Sequence, residues 1–284
     1  MKLRVLGCSG GISQGLRTTS LLVDNDLLID AGSGVGDLTL EEMCQIRHVF
    51  LTHSHMDHFT FLPLLIDTMF PRIATPIVIH GLQETLQALQ EHIFNWKIWP
   101  DFAMLPDEKN PVMIYKVMSP GEVISIEDRK LEMIKVNHIV PCVSYRVQSP
   151  SGSFAFSGDT TTNDSMWNAL NAHDSLDLLI VEAAFPNELE ALSKLSKHYT
   201  PSMLGEDIKK LKHKPRIYIS HPKPGQESVI IDECKVAIAD REVFTLLGGD
   251  AFRLYRRRGR AYAKRYRIEV NSVKFNIVPS SACK

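Results

Sequence analysis

No stretch of the 284-residue chain approaches the roughly 18 consecutive apolar residues that a membrane-spanning helix needs. An integral place in a bilayer is therefore excluded, and no membrane partner is expected. The opening residues carry Lys2 and Arg4 but no apolar run of the length a secretory leader uses, which makes the cytoplasm the expected setting. Cysteine is sparse: the five residues Cys8, Cys44, Cys142, Cys234 and Cys283 are odd in number, scattered, and form no C-x-x-C pair. Neither a disulfide framework nor a thiolate zinc knuckle fits that pattern, so reduced thiols are expected. An excess of either charge is also missing. With 32 basic and 33 acidic residues the formal net charge is −1, and bulk electrostatics neither gathers polyanions nor repels them. Short-period repeats and low-complexity linkers are absent, which favours a single domain over residues 1–284. The composition, 44% apolar and 23% charged, excludes disorder as the main state.

Short runs rich in Val, Ile and Leu fill the chain, joined in the first half mostly by turns where an alternating strand–helix protein would place helices. Residues 3–7 read as a first strand, and 20–23 and 27–30 as a hairpin about Asp24-Asn25-Asp26. Residues 46–52 form a further strand entering a His/Asp-rich loop, with a helix over 59–69 leaving it. A strand at 77–80, a helix at 82–94 and a Pro-rich loop from Trp96 to Pro111 follow. Residues 112–117, 122–126, 130–137, 143–148 and 153–157 read as a meander. Strands at 178–182 and 216–220 then alternate with helices at 201–211 and 227–239. This order predicts an α+β fold, a four-layer αββα sandwich of two mixed β-sheets with helices on the outer faces. The last segment, residues 252–284, is locally basic: eight Lys and Arg lie between Arg253 and Arg267, with tyrosines among them.

The densest chemistry lies in His53-Ser54-His55-Met56-Asp57-His58, three imidazoles and a carboxylate within six residues after an apolar strand. Two histidines at i and i+2 in extended backbone face one way, and a following turn swings the Asp and the last His toward a second point. Two metals can be served. Imidazole and carboxylate suit zinc, iron or manganese. Three distant candidates repeat the placement beyond an apolar strand: His138, Asp159 and His221. Loops at one rim of a sandwich can bring such residues together while the strands below stay rigid.

H-x-H-x-D-H, a later lone His, Gly158-Asp159-Thr160 and Ser220-His221-Pro222 resemble the metallo-β-lactamase superfamily. Gly7-Cys8-Ser9-Gly10-Gly11 and Leu28-Ile29-Asp30-Ala31-Gly32 extend the resemblance over most of the chain. It implies two divalent metal ions, Zn2+ first with Mn2+ or Fe2+ as alternatives. By the same resemblance His53, His55 and His138 bind one, Asp57, His58 and His221 the other, and Asp159 bridges them. Two such ions about 3.5–4 Å apart lower the pKa of a shared water toward roughly 7, giving a bridging hydroxide as nucleophile.

Glu182-Ala183-Ala184-Phe185 and Lys197-His198-Tyr199-Thr200-Pro201 resemble segments of the phosphodiesterase branch, which includes RNase Z and class II cyclic-nucleotide phosphodiesterases. The resemblance makes His198, held cationic by Glu182, the acid for the leaving alkoxide, a role general-acid chemistry also assigns. Asp57 joins His198 and Glu182 as the catalytic set. The segment from Val136 to Tyr145 looks like the class II enzymes, and the Gly-His-Thr motif of glyoxalase-like relatives is missing. Asp159 follows His138 by 21 positions, leaving no room there for the RNA-gripping arm of RNase Z relatives. Phe59-Thr60-Phe61 departs from the small residue that the class II pattern has after the metal loop. The expected function is therefore hydrolysis of a small phosphodiester, first a 3′,5′-cyclic nucleotide. An RNase Z-like nuclease, with RNA gripped by the basic tail, and a non-catalytic metal-binding protein are the alternatives. A homodimer is expected from the resemblance alone. His48, His80, His92, His173, His213, Cys8 and Cys142 are given structural roles. Trp96, Trp99 and Phe102 are left between core packing, a dimer contact and stacking on a base.

Overall fold

The computed structural model describes residues 1–257 and 260–267. Of the expected basic segment 252–284, Arg258, Gly259 and everything after Arg267 lie outside the described residues. The first sheet begins with β1 (Lys2–Gly7), β2 (Ser20–Val23), β3 (Leu27–Ile29), β4 (His48–Phe50), β5 (Ile77–Gly81) and β6 (Met113–Val117). The second is built from β7 (Val123–Ile126), β8 (Arg129–Lys135), β9 (Val143–Ser149), β10 (Gly152–Phe156), β11 (Leu178–Glu182), β12 (Arg216–Ser220) and β13 (Val243–Thr245). The chain then returns to the first sheet as β14 (Asp250–Arg257) and β15 (Arg260–Arg267), which pair antiparallel on the far side of β1. The resulting orders are β15-β14-β1-β2-β3-β4-β5-β6 and β13-β12-β11-β10-β9-β8-β7. Both sheets are mixed. Antiparallel meanders give way to parallel strands at β3-β4-β5-β6 and at β10-β11-β12-β13.

Alternation along the strands explains the layers. Leu3, Val5, Leu27 and Ile29 face Met133, Tyr145, Phe154, Leu178 and Ile180 of the other sheet in a central core. Their neighbours Leu6, Leu28 and Val49 point outward, where α3 (Leu62–Met69) and α4 (Gln83–His92) cover them after the short α1 (Leu40–Met43) and α2 (Met56–Phe59). Leu179, Val181, Ile217 and Ile219 likewise meet α5 (Ser165–Asn171), α7 (Pro201–Asp207) and α8 (Glu227–Ala237), with α6 (Glu190–Ser196) lying before α7. Both faces of each sheet are covered, so strands such as β2, β3 and β11 are buried at every position. The expected αββα sandwich is the observed fold.

Several boundaries differ for identifiable reasons. The helix expected over 59–69 starts earlier and is two helices, because Phe61 N–H turns away to the Ala31 carbonyl and Pro63 sits at the start of α3 without an N–H. The strand expected over 46–52 is cut to β4, since the Thr52 N–H is taken by the Asp30 carboxylate at 2.8 Å. The hairpin matches the expectation, turning through Asp24 at a φ of 51°, whereas the expected five-strand meander is realised only over β7 to β10, because β6 pairs parallel with β5 in the first sheet. α5, α6 and β13 are elements the sequence reading did not anticipate. Cys8, Cys142 and Cys234 are buried free thiols, whereas Cys44 is disulfide-bonded, so the all-reduced expectation holds only for those three. Among the described residues no helix is long and apolar enough to cross a membrane.

Candidate metal centre

β8, β10, β11 and β12 run in one direction, so their C-terminal ends share a rim of the second sheet. His138 lies three residues past β8 and Asp159 three past β10, while Glu182 ends β11 and His221 follows β12 directly. From the first sheet, His53 and His55 leave β4, and Asp57 and His58 lie in the single turn of α2. All seven expected ligand residues meet. Ligand atoms of His53, His55, His138 and Asp159 lie within 4.8 Å of one another, as do those of Asp57, His58, Asp159 and His221. Asp159 belongs to both groups. Its carboxylate lies 3.3 Å from His58 Nε2, 3.3 Å from His221 Nε2 and 3.7 Å from His53 Nε2. Asp57 Oδ2 is 3.7 Å from both His58 Nε2 and His221 Nε2.

The remaining ring nitrogens fix the tautomers. His58 Nδ1–H donates to Asp30 at 2.6 Å, and Thr52 Oγ1 donates to the same carboxylate at 2.9 Å while accepting from His53 Nδ1–H at 2.9 Å. His138 Nδ1–H donates to the Lys197 carbonyl at 3.0 Å. Each Nε2 is thereby directed inward. His53 Nε2, His58 Nε2, His221 Nε2 and Asp159 Oδ1 are buried with no hydrogen-bond partner, and His138 Nε2 stands 3.3 Å from His55 Nδ1. Buried acceptors are rarely left unpaired, and here they converge on two points, which is the arrangement divalent cations would satisfy. The donor set fits such ions.

Burial sets most of the charge states. It pushes His53 well below the imidazole range, His138 down to about 4 and His221 down to about 3, so these rings are neutral near pH 7, as ligation requires. For His58 burial acts the same way, but Asp159 and Asp30 outweigh it and raise the ring well above its ordinary value. Burial would raise Asp159; His221 and His58 overcome it and hold the carboxyl well below the usual range.

Beside this cluster, His198 Nδ1–H donates to Glu182 Oε1 at 2.8 Å, with ring centroids 5.0 Å from His138 and 5.4 Å from His221. Glu182 is fully buried and also accepts from the Thr160 N–H at 2.8 Å and the Tyr199 N–H at 3.3 Å. Burial disfavours the His198 cation, yet the Glu182 carboxylate wins and raises its pKa.

Three non-glycine residues at the site adopt left-handed backbone: Asp30 (φ 58°), Lys197 (φ 54°) and His221 (φ 63°). Such strain costs about 1–3 kcal/mol and persists where neighbours enforce it. For His221 the enforcers are its N–H bond to the Cys8 carbonyl at 2.7 Å and the close approach of Gly10, whose Cβ would lie 2.5 Å from the His221 carbonyl. Asp30, Thr52 and Lys197 are the supports to which the sequence reading gave no role. Asp30 stood inside a quoted motif, but its partner is 28 residues away in sequence.

The residues set aside fall elsewhere. His80 is buried rather than near the surface, stacked on Phe50 at 4.1 Å and bonded to His48 at 3.1 Å. His173 pairs with Glu132 at 2.6 Å, His213 contacts the Leu170 carbonyl, and His92 is exposed. Phe102 and Trp99 pack into the core under the first sheet, while Trp96 is 62% exposed. Burial raises the Cys8 thiol to about 12 and Cys142 well above its usual value, consistent with apolar packing roles.

A family model described as the Beta-lactamase superfamily domain matches residues 25–221, a span that includes every residue of the cluster. The chain belongs to this metallo-β-lactamase-fold family. A Yersinia pestis protein named "Probable 3',5'-cyclic-nucleotide phosphodiesterase" is 27% identical over 274 residues, covering 77% of each chain. A Ribonuclease Z of Methanopyrus kandleri is 27% identical over 159 residues, covering 52% of this chain and 50% of its own. Among solved structures, the metallo-β-lactamase fold protein YhfI of Bacillus subtilis superposes with a TM-score of 0.72 at 18% identity, over 89% of this chain and 99% of that one.

Proposed function

We propose that this hydrolase cleaves a phosphodiester, with a 3′,5′-cyclic nucleotide as its substrate. In this reading His53, His55 and His138 hold one divalent ion, Asp57, His58 and His221 hold a second, and Asp159 serves both. Zinc is the ion we assign, with manganese and iron(II) also suited to these nitrogen and oxygen donors. When bound, such ions polarise phosphoryl oxygens and acidify water toward a pKa of about 7.

The chain's own contribution is placement and a proton. Asp30, Thr52 and the Lys197 carbonyl hold three imidazoles in one tautomer, so no reorganisation is needed when a dianionic centre develops. His198 spends Nδ1 on Glu182, leaving Nε2 to deliver a proton to the departing oxygen. This pair is the observation that carries the reading: a metal-binding protein without turnover has no use for a buried, carboxylate-backed acid beside its ligands. An aryl oxide leaves without help, whereas the sugar alkoxide of a cyclic nucleotide needs the proton.

The relative named for cyclic nucleotides is 27% identical over 77% of both chains, against 24% over 70% of this chain for a Ribonuclease Z of Haloarcula marismortui, and the higher identity supports that substrate. So does strand register. Gly7 of β1 leads to the site, and Arg253 of the antiparallel β14 pairs with Lys2 at the other end, so Arg256 and Arg257 lie toward the opposite rim, from which β15 runs back until Arg267 pairs with Asp250. Arg265, further back, is held by Asp250 at 2.6 Å. A cytoplasmic setting and a homodimer complete the reading.

The test is hydrolysis of bis(p-nitrophenyl) phosphate and of 3′,5′-cyclic AMP and GMP. His198→Ala should lower kcat on the cyclic nucleotides by about 10²–10⁴-fold and on the aryl diester far less. Equal losses would remove the acid from the account, and turnover of none of these substrates would remove the phosphodiesterase reading.

A further inference from the structure

The rim that carries the cluster continues past it. β5 and β6 run parallel to β4, so Leu82 and Val117–Met118 stand at the same end of the first sheet, facing Lys135 and the loop after β8 in the second. Between them opens a cavity of about 560 Å³, walled by Leu82, Val117, Met118, Pro120 and Ile139 and lined also by His138 and Lys197. That size lies within the range of small-molecule sites, roughly 300–1,000 Å³. A second hollow of about 680 Å³ lies along Ile12, Arg17 and Phe61, but none of the clustered ligand residues lines it and the Arg17–Asp37 ion pair occupies its edge.

Lys197 joins the first cavity to the reacting centre. Its carbonyl accepts from His138 Nδ1–H at 3.0 Å, its ammonium donates to the His138 carbonyl at 3.3 Å, and it directly precedes His198. No carboxylate pairs with this ammonium among the described residues, and Lys135 and Glu84 also line the cavity, so its walls combine charged groups with apolar ones. Val117 and Ile139 are 47% and 58% exposed at the rim, large apolar side chains left open to water next to a polar centre.

We propose that this cavity is the subsite for the nucleobase carried by the leaving oxygen. The inference rests on the phosphodiester reading above. A leaving oxygen that takes its proton from His198 Nε2 directs the group it carries to His198's side of the cluster, and the cavity is lined by His198's chain neighbour Lys197 and by His138, whose ring centroid lies 5.0 Å from that of His198. Its walls suit a flat heterocycle: apolar faces from Val117, Met118 and Ile139, and edge polar groups from Asn137 and Gln83. The Asn137 amide is oriented by its bond to the Thr162 carbonyl at 3.0 Å. The Lys197 ammonium adds attraction for the phosphate the base arrives with.

Filling the cavity from its exposed rim tests this with two independent variants, Val117→Trp and Ile139→Trp. Each should lower the selectivity for 3′,5′-cyclic AMP over methyl p-nitrophenyl phosphate, as the ratio of kcat/KM values, by at least ten-fold, chiefly through KM for the nucleotide. An unchanged ratio in both variants would overturn the subsite. Calorimetric binding of adenosine to the metal-free protein separates this from the reading it rests on. Binding in the parent protein that falls at least ten-fold in both variants supports the subsite even if no diester is turned over. No adenosine binding by the parent protein contradicts it even if diesters are cleaved.

Discussion

His198 and Glu182 are a case where neither residue has meaning alone. An imidazole in this setting would lose its proton to burial; the carboxylate 2.8 Å away reverses the sign of the shift. The sign has a kinetic consequence. A group with a raised pKa stays protonated above the ordinary imidazole range and loses its proton only as pH rises through the new value. kcat/KM for a cyclic nucleotide should therefore hold past pH 6.5 and fall on the alkaline side. Glu182→Gln keeps the shape but removes the charge, so this falling limb should move to lower pH, read from kcat/KM profiles of parent and variant. A limb that stays in place would show that Glu182 does not set the acidity of His198.

At the scale of elements, what the sequence exposed depended on how local each signal is. β11 and β12 have the limits expected from their apolar runs, because nothing polar interrupts them before Glu182 and Ser220. The short helices α5 and α6 were illegible: seven residues each, held by tertiary contacts such as Trp167 Nε1–H to Asp207 at 2.7 Å, they carry too little periodicity to register. The break between α2 and α3 was missed for a related reason, since it depends on the Ala31 carbonyl drawing Phe61 aside. That contact belongs to a tight junction at Gly32, where a Cβ would lie 2.4 Å from the Asp57 carbonyl and 2.6 Å from the Thr19 carbonyl. Gly32→Ala must push β3 and α2 apart, costing about 1–3 kcal/mol. A lower denaturant midpoint together with weaker zinc binding is the expected result. Loss of stability with zinc affinity unchanged would mean that α2 does not depend on this contact for its position.

For the molecule as a whole, the cluster is a product of topology. Six residues in a row could be read as metal-binding from their order alone, but His138, Asp159 and His221 acquire that meaning only when β8, β10 and β12 end at one rim. Their recurrence beyond apolar strands made the candidates legible in the sequence. The support beneath them was not: Asp30, Thr52 and Lys197 act through contacts that span the sandwich. The same topology carries Arg256 and Arg257 of β14 toward the opposite rim while β15 returns to pair Arg267 with Asp250, a division that charge counting along the chain could not reveal. The central claim is that these side chains hold two divalent cations with Asp159 in common. Metal content per chain, measured on zinc-loaded protein after exhaustive dialysis, tests it directly. The account predicts about two zinc ions per chain for the parent, two for His198→Ala, and fewer than one for Asp159→Ala. A parent protein that retains no zinc, or an Asp159→Ala variant that retains as much as the parent, would contradict it.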